Sequence, residues 1–392
     1  MNTLKSVLLS ALFTIAVGLD AYGQGWNEVP TSNLPGRNQL LGIAAAGPNE
    51  AFAVGYSGSD AVRSTLVVHI VNGQAHIMPT PNNSGFAINE LYAVWSMGPN
   101  NVWAVGRLLN PSSLPTATLI MHFDGTSWTI VPSPNPDTGS NELLAITGTS
   151  STNIYAGGFH SSSAGNAVAQ NLLLHFNGNG WSVVTNFPNL AGSGVNNEIK
   201  GLSASASNNV WAVGFTGNTH TNYEPFAFRF DGNSWTMTKI VPHSSGAVGS
   251  FFSSVAANSP NDVWAVGQSD ADSVLSNIQH FNGTSWSQVF WRKLDPNQPI
   301  NEVPLLSVSC GSVGTCYAVG SIQGAALILK WDPTQEIWLQ VQAALLANPP
   351  SDLFGVSLFP GGSAFTAGLQ FQFDSSGTSG QYDNLVEQNK NP

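Results

Sequence analysis

Charge is scarce in this chain. Lys, Arg, Asp and Glu make up 8% of its 392 residues, against about 25% in ordinary soluble domains. The net charge is −11, and no Lys/Arg cluster forms a basic stripe. That excludes nucleic-acid binding, which needs such a stripe to displace counterions. An anionic membrane surface is disfavoured for the same reason. Cysteine is nearly absent, with only Cys310 and Cys316, and their spacing does not fit a CxxC-type redox role. Beyond the N-terminus there is no long apolar run, so membrane insertion is not expected. No GxSxG, HExxH, P-loop or dinucleotide fingerprint occurs.

What is plentiful is turn chemistry, with 40 Gly and 23 Pro. Short strands joined by tight turns are expected, in one large all-β unit. The N-terminus carries Lys5, an apolar run from Val7 to Leu19, then small residues at Ala21 and Gly23. This is a signal-peptide pattern with cleavage expected after Gly23. Residues 1–23 are therefore read as a leader and 24–392 as one domain, secreted or periplasmic and monomeric.

The heptapeptide "NNVWAVG" ending at Gly106 returns at Gly214, and as "NDVWAVG" at Gly267. Looser copies end at Gly55, Gly158, Gly320 and Gly368. Successive glycines are 51, 52, 56, 53, 53 and 48 residues apart. A period near ~50 residues points to a propeller of kelch-like blade length. Each period reads as four strands: "ELYAVWSM", "VWAVG", "ATLIMHF" and "WTIVP", the last pair joined by an Asp-Gly or Asn-Gly turn. Small residues from Gly42 to Gly355 recur in the first strands, where blades would crowd. Trp128, Trp181, Trp235, Trp286 and Trp338 open the fourth strands.

The last repeat stops before a fourth strand, and "GWNEVP" at the mature N-terminus matches the missing copy. The expected fold is a seven-bladed β-propeller of four-stranded antiparallel blades, with the N-terminal strand completing the last blade. The repeats resemble those of bacterial extracellular propellers written "NDVWAVG…HWDGTSW". More distantly they are similar to kelch repeats and the central propeller of galactose oxidase. The resemblance implies fold and not activity.

Candidate site residues follow from position. Cys310 and Cys316 flank the first hairpin of the sixth repeat, and a structural disulfide is expected. His69, His122, His175 and His280 share one third-strand position on separate blades and cannot meet as a metal set. Glu90, Glu142, Glu198 and Asp352 share the head of the first strand. They should ring one mouth of the central channel, where they could hold a cation such as calcium, or cap the strand corner. No other cofactor is expected.

The second-to-third and blade-to-blade loops are long and different in each repeat, and variable loops carry function. Arg107, His160, His220, Tyr223, His243, Trp291 and Arg292 fall there as candidate ligand-binding residues. Trp291 beside Arg292 suits a sugar ring or a partner protein. The first expectation is a non-catalytic binding propeller for glycan or protein. The alternative is a glycan-active hydrolase or lyase using the channel-mouth acids, since such enzymes need two carboxyl groups roughly 5 to 10 Å apart.

Overall fold

The computed structural model describes residues 25–111, 113–163, 168–190, 194–218, 222–241, 249–269, 276–294, 303–311, 314–344, 350–373 and 380–390. Among them there is no α-helix. Each sequence repeat forms a four-strand antiparallel unit, such as Asn141–Ser150, Asn153–His160, Gln170–Phe176 and Trp181–Val183. The units of the first and second repeats join through one parallel bridge, Arg63 with Ile88, into a single sheet. The last repeat supplies three strands, and Trp26–Glu28 from the N-terminus supplies the fourth by pairing antiparallel with Gly380–Asn389.

The repeated heptapeptide has a packing reason at three of its positions. Its glycine lies against a bulge in the first strand, found between Leu91 and Ala93 in the second unit and at the same place in the others. A Cβ on Gly106 would overlap the carbonyl oxygen of Glu90, and one on Gly214 would overlap that of Glu198. Only glycine lets the two backbones approach so closely. The aromatic of the heptapeptide is stacked by the third-strand histidine: Trp103 by His122 at 4.1 Å and Trp264 by His280 at 4.2 Å. The residue opening the second strand then takes the histidine Nε2, Asn101 from His122 at 2.9 Å and Asp262 from His280 at 2.8 Å. The recurring histidines are thus structural, each within its own unit.

Fourth-strand tryptophans join the units. Trp181 meets Trp103 of the preceding unit edge-on at 5.7 Å, and Trp286 meets Trp211 at 5.5 Å. Trp26 does the same to Tyr317 at 5.4 Å. Such contacts contribute about 0.5–1.5 kcal/mol each beyond area burial. Apolar cores therefore lie between successive units and not within them. Leu40, Leu66 and Val68 of the first unit share such a core with Phe365, Ala367 and Val386 of the last. The first strands crowd inward: a Cβ on Gly42 would lie 3.1 Å from the Cα of Ala93, and one on Gly201 2.9 Å from the Cα of Ser254. Cys310 and Cys316 are cross-strand partners and form a disulfide.

Candidate functional site

The first strands enclose a central cavity of about 210 Å³, lined by the same three positions of every repeat. The bulge residues are among them: Leu41, Tyr92, Leu144, Lys200, Ser253, Leu306 and Phe354. Most are apolar or small, so Tyr92 and Lys200 stand out. Two residues before each of these two is an acid, Glu90 and Glu198. The acids lie where first strands begin and second strands end, opposite Arg107 and Phe215. This end of the cavity is the one from which the variable loops depart.

Two groups of candidates identified separately in the sequence form one network here. Arg107 donates from Nε to Glu90 at 2.8 Å and from one terminal nitrogen to both oxygens of Glu142 at 3.0 and 3.2 Å. It thereby ties the second unit to the third. Glu90 is 1% exposed. It also accepts from the Tyr92 hydroxyl at 2.7 Å and from the Arg63 guanidinium. Arg63 lies 4.6 Å from the Tyr56 ring centroid, and Tyr56 donates to Gln39 at 2.6 Å.

The pKa values of the two acids are shifted in opposite directions. Burial opposes ionisation of Glu90, but the donors Tyr92, Arg63 and Arg107 outweigh it and hold its pKa below the ordinary value. Burial raises the pKa of Glu142, and Arg107 and Lys200 offset this only in part. The difference follows from donor count, since Glu90 has three side-chain donors and Glu142 has one. Burial likewise works against the Arg107 charge, and Tyr92, Glu142 and Glu90 more than reverse it, raising its pKa.

In the neighbouring fourth unit, Glu198 pairs with Lys200 at 2.8 Å. Lys200 Nζ lies 5.5 Å from the Phe215 ring centroid, and Tyr223 packs on Phe215 at 4.1 Å. Asp352 holds the equivalent position in the last unit, opposite Leu369. Among the described residues no three His, Cys, Asp or Glu side chains gather as a metal set.

The other candidates lie apart. His160 Nδ1 lies 3.2 Å from a carboxylate oxygen of Asp137, which accepts from it. Trp291 and Arg292 form a short strand pairing parallel with the outer strand of the sixth unit, Trp291 opposite Trp338. Trp291 is half-buried against the core between the fifth and sixth units, and Arg292 reaches Gln335 at 3.4 Å. The pair therefore sits at the outer edge of a sheet and not on the loop face, because a non-local strand pairing draws it outward. His220 and His243 lie outside the described residues. Arg63, Tyr92 and Lys200 were not singled out as site residues by the sequence reading. The spacing Glu-x-Tyr and Glu-x-Lys in the first strands is the signal that could have found the last two.

No protein-family model matches this chain, and no curated protein matches it in sequence. Solved structures do. A GH74 xyloglucanase from Xanthomonas campestris matches with TM-score 0.51 and 11% identity, over 92% of this chain and 55% of that one. An acylaminoacyl peptidase of Pyrococcus horikoshii matches with TM-score 0.51 and 8% identity, over 88% and 50%. The fold is a β-propeller. The chain spans about half the length of these two enzymes, and at such identity the likeness is one of fold alone. A six-bladed fucose-binding lectin of Aleuria aurantia aligns at TM-score 0.46 and 14% identity, over 81% of this chain and 100% of that one. Among the described residues no helix is long and apolar enough to cross a membrane.

Proposed function

We propose that this is an exported, monomeric, seven-bladed propeller that binds glycan through the mouth of its central cavity, without catalysis. Closure by the N-terminal strand is supported by the pairing of Trp26–Glu28 with the last strand. The disulfide suits an oxidising compartment, extracellular or periplasmic, reached through a leader at residues 1–23. The observation that carries the binding reading is the state of the mouth acids. Glu90 is buried and its oxygens are occupied by Arg63, Arg107 and Tyr92, while both oxygens of Glu142 are taken by Arg107. Carboxylates so engaged hold arginines in place and serve neither as calcium ligands nor as attacking groups. What they build is a rigid polar rim on the variable-loop face, in a chain with few charges elsewhere. An array of glycans and surface proteins, probed with the mature chain, tests this. Capture of proteins and of no glycan would refute it.

The opposite pKa shifts of Glu90 and Glu142 favour a second reading, a glycan hydrolase or lyase. Paired acids whose environments push their pKa values apart are the pattern of an acid–base pair. In that reading Glu142, the acid held up by burial, donates the proton, and ionised Glu90 is the base or nucleophile. Polysaccharide turnover that vanishes in Glu142→Gln would establish it over the first.

A further inference from the structure

We infer that the fourth and fifth units hold a subsite for one neutral glycosyl residue, built from Glu198, Lys200, Phe215, Tyr223 and Phe251. This rests on the glycan reading above and narrows it. The mouth is not uniform. On the side of the first three units Glu90 accepts from two arginines and a tyrosine, and Arg107 holds both oxygens of Glu142. On the other side, Glu198 has a single hydrogen-bonding or ionic partner among the described residues, Lys200. Both reach solvent, with side chains 17% and 30% exposed. Glu198 keeps acceptor capacity and Lys200 keeps donor capacity, which is what adjacent sugar hydroxyls require.

Aromatic rings stand beside this pair. Phe215 is buried and forms the base. Tyr223 packs over it at 4.1 Å with ring planes 36° apart, and Phe251 meets it edge-on at 6.2 Å. Tyr223 and Phe251 are partly exposed. Aromatic surface next to a carboxylate–ammonium pair suits a pyranose, whose C–H face is apolar and whose rim is polar. The charges decide the class of sugar. Glu198 and Lys200 balance one another, and Glu142 lies close enough to Lys200 to feel its charge. Glu142 is in turn balanced by Arg107, so no cation is left over to hold a uronate carboxylate, and a neutral sugar is favoured. Size limits the occupant. Lys200 also lines the central cavity, and its 210 Å³ is smaller than the 300–1,000 Å³ of ordinary drug-sized sites. One residue or chain end enters, and the rest of a glycan lies across the loop face.

The test uses immobilised hexasaccharides, neutral glucan, xylan, mannan and galactan beside oligogalacturonate, followed by calorimetric titration of the neutral sugar that binds. Tyr223→Ala and Glu198→Gln should each weaken that binding by about tenfold, the worth of one stacking or charged contact. Tyr223→Phe, which keeps the ring, should lose less than Tyr223→Ala, and Arg292→Ala, at the outer sheet edge, should leave binding unchanged. Melting curves identify any variant that fails to fold, and Glu198→Gln decides if Tyr223→Ala does. Neutral sugar bound equally by wild type, Tyr223→Ala and Glu198→Gln would overturn the subsite and leave the glycan reading standing. Binding of oligogalacturonate alone would overturn the neutral class. Binding of none of the sugars would overturn subsite and glycan reading together.

Discussion

Replacing Arg107 with alanine should damage this protein more at neutral than at acid pH. Arg107 is the group that bridges Glu90 of the second unit and Glu142 of the third. Removing one partner of a buried ion pair costs about 3–5 kcal/mol, because the other charge is left without compensation. Two features lower that figure here. The Arg107 side chain is 25% exposed, and Glu90 keeps Arg63 and Tyr92. The loss should therefore be about 2–3 kcal/mol at pH 7, most of it from Glu142.

The pH dependence follows from the direction of each shift. Glu142 has a raised pKa in the fold, so its ionised form is a liability above that pKa, and the liability disappears as pH falls through it. Glu90 has a depressed pKa. Its contribution is present above the unfolded carboxylate pKa and is lost as pH falls through the folded value. Without Arg107 the Glu142 liability grows, and protonation relieves it. Urea unfolding of wild type and Arg107→Ala from pH 7 down to about pH 5 should show the deficit shrinking with acidification. In a Glu142→Gln background the Arg107→Ala deficit should be smaller than in the wild type. A deficit under about 0.5 kcal/mol, or one equal across that range, would refute the network as a bridge between units.

Three further outcomes follow from the packing. Gly106→Ala places a Cβ into the Glu90 carbonyl and should cost several kcal/mol, about the 1–3 kcal/mol of overpacking or more, while Gly180→Ala, with no atom within 4 Å, should change stability by under about 0.5 kcal/mol; equal melting temperatures for the two would contradict the close approach. Asp262 is held below its ordinary pKa by His280, with burial opposing, so its contribution exists above the unfolded carboxylate pKa and is lost as pH falls through its folded pKa; Asp262→Asn should cost about 1 kcal/mol at pH 7 and much less in acid, and a deficit constant with pH would argue against that pairing. Deleting residues 25–31 removes the strand that pairs with Gly380–Asn389 and the Trp26 ring against Tyr317; the melting temperature should fall and the chain should associate through its opened edge, and an unchanged monomeric melt would show the strand to be dispensable.

Much of the fold was legible because it repeats. The heptapeptide glycine, the fourth-strand tryptophans and the N-terminal match to a missing strand are local signals, and each found its place in the packing. What the sequence did not display was the reason for the glycine. That reason is a carbonyl on a different strand, brought close by a bulge. The site was legible in part. Arg107 follows the repeated glycine, so it must stand opposite the Glu90 position, and the pairing could have been read from register. Arg63 could not, because it starts a third strand of the first unit and reaches a neighbouring unit. Trp291 was sorted by its loop, whereas a two-residue parallel pairing with the sixth unit draws it to the outer edge. Pairings of that kind carry no periodic mark.

Under the proposed function the mouth binds glycan and does no chemistry on it. The most direct measurement incubates the mature chain with the polysaccharide it retains and follows both retention and the release of new chain ends. Retention with no release, weakened by Glu198→Gln and by Tyr223→Ala, is the predicted result. Release of new ends that persists in purified protein and is abolished by Glu142→Gln would contradict it.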